Sequence, residues 1–324
     1  MVGSRGEAEE GRSMSDAGAH GPLVSVVIPM YQAEKWILET LASVASQTYP
    51  LVETVVVDDG SLDRGPDLVA EFVERAERPF RLVRGPNKGV ALARNLGIDE
   101  SNGELVALLD ADDLWHPSKL DLQVQRLVET GAPMCTCGYE FFDDQTNRGV
   151  GLVRIKDGSL ALRGWLAIEG NGLALASTAV IRRQVLDDLL RFDPSLTCSA
   201  DLDFALKIGE LGRLDAVPEA LVRYRVHPGQ MHRQLSAFAG DVSKLYDRVF
   251  SNEGDPRFER RCRANLAVHL GLSELLRGRV ALGLRQLGRS VLLDPRRIVT
   301  LPVYALVRRA GRRLRSWLSV GVSW

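Results

Sequence analysis

The stretch LVALLDADDLWHP, residues 105–117, ends an apolar run in three carboxylates, Asp110, Asp112 and Asp113, within four positions. Charges crowded that closely repel one another and resist removal from water, so a strand ending this way faces open water or a cation. A divalent cation held by such a group can in turn hold phosphates. In that reading Asp112 ligates Mg2+ or Mn2+ directly, with Asp113 beside it as a second metal residue, and Asp110 lies next to a ribose or the metal. The competing reading is a solvated turn leading into a helix with Pro117 at its first position.

The elements around the acids decide between these readings. The runs VSVVI (24–28), VETVVV (52–57), FRLV (80–83) and ELVALL (104–109) are short and mostly β-branched or aliphatic, as buried parallel strands require. Between them Ile37, Leu41, Val44 and Ala45, then Leu68, Phe72 and Ala76, recur at helical spacing, and a third helix is predicted from about Gly89 to Glu100. Strand and helix alternating through short links predict an α/β fold with a parallel sheet. Pro29 and Tyr31 then follow the first strand, Asp58 and Asp59 the second, Asn87 and Lys88 the third, and the three acids the fourth. All fall at carboxyl ends of strands, the edge where open α/β sheets bind ligands. No Gly-x-Gly-x-x-Gly follows the first strand, which argues against a dinucleotide-binding turn and hydride transfer.

The segments VSVVIPMYQAEKWILETLASVASQTYPLVETVVVDDGSLD, GPNKGVALARNLGI, LLDADDLW, STAVIRR, SADLDFALKIGELG and LVRYRVHPGQ stand in an order and spacing that resembles family 2 glycosyltransferases. The resemblance covers about residues 23–235. It implies a GT-A fold, a Rossmann-like mostly parallel sheet, and an inverting, metal-dependent transfer of a sugar from a UDP-, GDP- or dTDP-linked donor to a hydroxyl acceptor. It places Pro29, Tyr31 and Asp59 around the nucleobase, with Tyr31 stacking and Asp59 accepting a base N–H, and Arg94 bracing that pocket. Asn87 joins the donor-binding set from the same sheet edge. Asp110 and Asp112 match the ribose and metal motif, Asp201 matches the general base, and Arg225 and His227 lie where a loop closes over the diphosphate. Two departures stand out: Ala200 precedes Asp201 where Glu is common, and Gln32 replaces a common Asn.

The division of labour has a physical basis. A hydroxyl is a poor nucleophile at neutral pH, so a carboxylate must take its proton during attack, while charge must be neutralised where the diphosphate departs. Each residue also has a plainer reading. Asp58 and Asp59 can form an ordinary turn, and Asp201 can cap the helix of LDFALKIG, with Asp203 as the fallback base. His227 before Pro228 can be structural, and Trp115 reads as core or a wall of the acceptor site. Two other functions keep the same features: a catalytically inactive nucleotide-sugar-binding protein, and a nucleotidyltransferase. The second usually carries a glycine-rich basic loop after the first strand, which PMYQAEKW lacks.

The 324 residues divide into a disordered tail (1–21), a catalytic domain (22–235, with a nucleotide-sugar half 22–115 and an acceptor half 116–235) and a helical extension (236–324). In the extension ANLAVHLGLSELLRG and VALGLRQLGRSVLLDP predict an antiparallel helical hairpin closed by Gly278 and stopped by Pro295. Formal net charge is −1, but the residues after Asp294 carry seven arginines and no acid, so they are net +7 and the rest net −8. The segment PVYALVRRAGRRLRSWLSVGVSW can be drawn as a helix with Val303, Leu306, Val307, Leu314, Trp317 and Leu318 near one face, which suits adsorption to anionic lipid. The alternative is a capping helix with solvated arginines. Nothing in the charge balance points to nucleic acid. The four cysteines (Cys135, Cys137, Cys198, Cys262) read as reduced, and there is no secretory h-region or membrane-spanning run. A cytoplasmic protein, peripheral on the inner membrane face through its tail, is expected, with a surface polysaccharide or lipid-linked oligosaccharide as acceptor.

Overall fold

The computed structural model describes residues 21–169, 174–186, 190–196, 198–227, 235–251 and 255–296. The N-terminal tail, the loop from Pro228 and the basic segment from 297 therefore lie outside the described residues. β1 (Val24–Met30), β2 (Val52–Asp58), β3 (Phe80–Arg84) and β4 (Leu105–Leu108) run parallel in the order β3-β2-β1-β4. α1 (Ile37–Ala45), α2 (Gly65–Val73) and α3 (Val90–Asp99) make the crossovers. Every residue of β1 is buried, which is why it reads as a continuous apolar run without alternation. β1 extends two residues beyond the predicted run, taking in Pro29. β4 stops opposite Val27, so at Pro29 only β2 flanks the strand and the missing N–H leaves no ladder bond unmade on the β4 side.

After β4 come the two-residue β5 (Leu114–Trp115), α4 (Lys119–Thr130), β6 (Met134–Asp143), β7 (Gly149–Val153) and α5 (Gly158–Leu166). α6 (Leu175–Thr178), β8 (Val180–Arg182), α7 (Ala200–Leu211) and β9 (Asp215–Val226) complete the sheet as β4-β8-β6-β9-β5, with β7 on β6. β8 is antiparallel to both β4 and β6, whereas β6 and β9 run parallel from Cys135 and Asp215 to Asp143 and Val226. The result is an α/β fold whose longer ladders are parallel, and its parallel half carries the acids at its carboxyl edge.

α8 (Leu235–Val249), α9 (Pro256–Leu276) and α10 (Val280–Leu293) follow. α9 and α10 form the expected hairpin, turned at Gly278 with φ +78°. Phe238, Val242 and Tyr246 of α8 share a second buried cluster with Leu166, Ala167 and Cys262, and the Tyr246 hydroxyl donates to the Leu166 carbonyl at 2.8 Å. All four cysteines are free thiols. No described helix is long and apolar enough to cross a membrane.

α3 reaches the sheet at Gly97. A Cβ there would overlap Val27 of β1 and come within 3.1 Å of Val57 Cγ2 of β2. Gly97→Ala gains about 1 kcal/mol of helix propensity. Overpacking of two β-branched side chains costs roughly 1–3 kcal/mol, so net destabilisation is expected, read as a lower urea midpoint at unchanged slope.

Candidate functional site

β4 delivers the acids. The Leu109 N–H still bonds the Val27 carbonyl at 3.1 Å, and the chain then leaves the sheet and turns, with the Asp113 N–H reaching the Asp110 carbonyl at 3.2 Å. Thr40 Oγ1 of α1 pins this turn by donating to the carbonyls of Ala111 (2.9 Å) and Asp113 (3.0 Å). Ser177 of α6 supports it from the other side. Its Oγ accepts the Asp110 N–H at 3.1 Å and donates to Asp113 Oδ2 at 2.6 Å, while its carbonyl accepts the Trp115 indole N–H at 2.8 Å. Trp115 is thus buried core, as one of its two sequence readings has it.

The three carboxylates differ in access. Asp113 is buried, with Oδ1 accepting the Arg225 backbone N–H at 2.8 Å, so each of its oxygens already holds one hydrogen bond. Asp112 opens outward, and its Oδ2 lies 2.9 Å from His227 Nε2. Asp110 pairs with Arg94 at 2.8 Å. One oxygen from each of the three lies within 4.8 Å of the others. Burial, followed by the charges of Asp112 and Asp110, pushes Asp113 well above the ordinary carboxylate range against its two hydrogen bonds. Burial and the Asp112 charge also raise Asp110, although Arg94 opposes them. Crowded hard oxygens whose ionised forms are destabilised fit a hard divalent cation such as Mg2+ or Mn2+, with the His227 imidazole adjacent.

Arg225 and His227, at and just beyond the end of β9, reach the acids from across the sheet. The Arg225 guanidinium is buried. Nε donates to the Asp112 carbonyl at 2.7 Å, Nη1 to Asp144 at 3.0 Å and Nη2 to Glu39 at 2.7 Å. It therefore holds the acidic turn from beneath. The His227 ring packs on Trp36, with centroids 4.1 Å apart at 36°. Asp144 ties these groups together by also accepting from Trp36 Nε1 at 3.0 Å and from Lys35. Sequence reasoning missed Trp36, Glu39, Asp144 and Ser177, because no local pattern marks a residue whose partners lie dozens of positions away.

Asp144 yields a prediction. Its burial works to raise its pKa, but hydrogen bonds from Lys35, Arg225 and Trp36 bring it down to about 2. A depressed carboxylate adds stability above its unfolded pKa that is lost as pH falls through the folded one, here between about 4 and about 2. Asp144→Asn should therefore cost about 2 kcal/mol at neutral pH and flatten that acid-side slope, measured by urea unfolding across pH. Loosening Trp36 and Arg225 should also lower any affinity of the acidic turn for Mn2+ about tenfold or more, read by calorimetric titration.

The remaining donor-side residues meet at the ends of β1 to β3. Asp59 is buried, and its two oxygens accept the N–H groups of Lys88 (2.9 Å) and Gly89 (2.7 Å), joining the loop after β2 to the loop after β3. Asn87 has φ 55° in that loop, a conformation Asn tolerates better than most side chains. Gln32 also has positive φ, and its Oε1 accepts the N–H groups of Leu62 and Asp63, which gives this departure from the common Asn a structural role. Tyr31 leaves its ring half exposed beside them, past Pro29. Arg94 is buried in α3, over the Phe192 ring at 5.2 Å.

Asp201 sits in the first turn of α7 with Oδ1 accepting the Leu202 N–H at 3.1 Å. It lines a single cleft with Asp110, walled by Trp165, Leu202, Tyr224 and Phe238. Burial raises Asp201 above the usual carboxylate range, Arg94 pulls it back and Asp110 adds to the rise. Asp203, two residues on, is buried and ion-paired with Lys207 at 2.8 Å and with Arg248 of α8. It ties α7 to α8, which leaves Asp201 as the α7 carboxylate at the cleft. Asp110 thus links the acidic turn to Asp201, and the Arg94 guanidinium acts on both.

The sequence model described as "Glycosyl transferase family 2" matches residues 25–190, half of the chain. An uncharacterised glycosyltransferase of Nostoc is 30% identical over 222 residues, covering 66% of this chain and 68% of the relative. TuaG of Bacillus subtilis, whose name assigns it to teichuronic acid biosynthesis as a glycosyltransferase, is 36% identical over 118 residues, 36% of this chain and 47% of its own. The chain spans about half to two thirds of the length of the curated relatives it matches first. Among solved structures, S. aureus TarS 1–349 in complex with UDP-GlcNAc aligns with TM-score 0.63 at 20% identity, covering 85% of this chain and 82% of that one. The mannosyltransferase PcManGT from Pyrobaculum calidifontis, in complex with GDP-Man and Mn2+, aligns with TM-score 0.62 at 21% identity, covering 93% and 85%. At these identities the structural likeness establishes the fold, a GT-A transferase architecture.

Proposed function

We propose a specific reaction for this chain, which belongs to glycosyl transferase family 2: the inverting transfer of one sugar from a nucleoside diphosphate donor to a hydroxyl of a glycan or lipid-linked acceptor. One observation carries the reading. Asp110, from the end of β4, and Asp201, from the start of α7, line the same cleft. The donor end and the base end of a displacement are thereby brought face to face.

Asp201 takes the acceptor hydroxyl proton as that oxygen attacks the anomeric carbon, and the bond from that carbon to the diphosphate oxygen breaks. A single displacement with one base inverts the configuration. Tyr31 stacks on the base of the donor, Asp59 and Asn87 shape its pocket, and Arg94 holds Asp110 toward the ribose. Asp112, Asp113 and His227 would hold a divalent cation, which when bound supplies charge neutralisation for the departing diphosphate. The buried Arg225 holds the backbone on which these ligands stand. The proteins similar to this chain support the substrate class: TarS was solved with UDP-GlcNAc and PcManGT with GDP-Man and Mn2+. TuaG's name places it in teichuronic acid biosynthesis, which supports a polysaccharide acceptor; we assign a surface polysaccharide or lipid-linked oligosaccharide, reached at the inner membrane face. Residues 22–235 form the catalytic unit in this reading. α8 of the extension adds Phe238 to the acceptor wall.

A thermal-shift screen of UDP-, GDP- and dTDP-sugars with and without Mn2+ tests the reading, since stabilisation follows occupancy of the folded state. One donor family should raise the melting temperature only with the ion present. Absence of any donor-dependent shift would overturn the assignment. Stabilisation without donor hydrolysis or transfer would favour an inactive binding protein instead.

A further inference from the structure

The hairpin at the end of the described chain carries a surface that the transfer reaction does not use. α10 packs on α9 through its buried Gly283 and Ser290, where Gly283 and Gly271 let the two backbones approach closely. Its opposite side is open. Leu284 (59% exposed) and Leu292 (85%) stand out from it, with Val280 and Leu282 about half exposed beside them, and Leu276 (70%) ends α9 just before the turn. Arg285 and Arg289 are interleaved with these side chains. Arg279 pairs with Glu274 and Arg296 with Asp294, which leaves Arg285 and Arg289 without an ion-pair partner among the described residues. From Leu275 to the end the chain holds eleven arginines, no lysine and one acid, Asp294.

Three kinds of partner could cover such a surface. A second copy would meet it across a two-fold axis, setting arginines against the same arginines, which costs what the leucines gain. A nucleic acid would satisfy the arginines through its phosphates and leave the apolar side chains without a role. An anionic bilayer takes both, with leucines at the acyl boundary and guanidinium groups at the headgroup phosphates. We propose that the α9–α10 hairpin docks the protein on an anionic lipid surface through Leu276, Leu284 and Leu292, with Arg285 and Arg289 at the headgroups. This docking rests on the hairpin alone and stands or falls separately from the transfer reaction.

Flotation of the full chain with phosphatidylglycerol and phosphatidylcholine vesicles tests it. The protein should float with vesicles of equal parts of the two lipids and stay behind with phosphatidylcholine alone. Leu284→Glu with Leu292→Glu should abolish flotation while leaving the melting temperature and any donor-dependent shift unchanged. Arg285→Gln with Arg289→Gln should lower partitioning roughly thirtyfold, given about one kcal/mol per arginine near an anionic surface. Because the double glutamate variant keeps the whole basic tail, retained flotation in it would overturn the proposal and assign binding to residues after Arg296. Equal flotation with both vesicle types would also overturn it. So would a concentration-dependent dimer by light scattering that the glutamate pair dissolves.

Discussion

Asp201→Asn should leave donor binding close to normal and lower kcat by about a hundredfold to ten-thousandfold, the usual contribution of a positioned general base. Asparagine keeps the shape of the side chain and its Leu202 hydrogen bond but cannot take a proton. The loss should therefore appear in turnover with little change in donor KM, the pattern of an interaction made only in the transition state. The wild-type pH profile supplies an independent check. Burial lifts Asp201 above the ordinary carboxylate range, so activity should fall as pH drops through that raised value, at higher pH than an exposed Asp would give. The Asn variant should lose this limb. Near-normal turnover in Asp201→Asn would remove the base assignment, because the other nearby acid on α7, Asp203, is bonded to Lys207 and Arg248.

Asp112→Ala should abolish divalent-ion dependence together with activity. Charge neutralisation at a departing diphosphate amounts to several kcal/mol, so loss of about a thousandfold or more is expected. The comparison with Asp113→Ala separates two kinds of acid. Asp112 is partly exposed beside His227, whereas Asp113 is buried against Ser177 and the Arg225 backbone. Asp112→Ala should change stability little, since relief of a repelling charge offsets the lost His227 contact. Asp113→Ala should destabilise by about 1–3 kcal/mol, because two buried donors lose their acceptor. Calorimetric Mn2+ titration and urea unfolding of both variants read these outcomes. Retained activity and unchanged ion response in Asp112→Ala would refute its metal role.

Much of this was legible in the residues because the parallel half is built from strands buried on both faces. VSVVI, VETVVV and ELVALL have no solvent face to disguise them, and the polar residues that follow them fall at one edge for topological reasons. The acidic turn was visible for the same reason: three charges after four buried residues have no core explanation. The second half was less readable. β5 is two residues long and β8 three, too short to show a period, and α6 is a single turn that matters only because Ser177 faces the acids. Arg225 was placed at the site by resemblance, as a group over the diphosphate, while the structure brings its guanidinium to Glu39, Asp144 and the Asp112 carbonyl. Those partners are invisible locally. Glu39 and Asp144 sit in unremarked stretches of a helix and a turn.

The bonds from Arg225 have one further consequence, which concerns the order in which the molecule can be made. Arg225 is 186 positions from Glu39 and 112 from Asp113, and His227 is 115 from Asp112. Contacts so far apart in sequence carry a loop-closure cost that must be met before they add stability. On the ribosome, β1 to β4 and the acids that follow them emerge more than a hundred residues before β9 exists. Until then the acidic turn lacks the Arg225 and His227 contacts that hold it. Arrival of Arg225 from the far end of the sheet then supplies the contacts to the Asp113 carboxylate and the Asp112 carbonyl that close the turn.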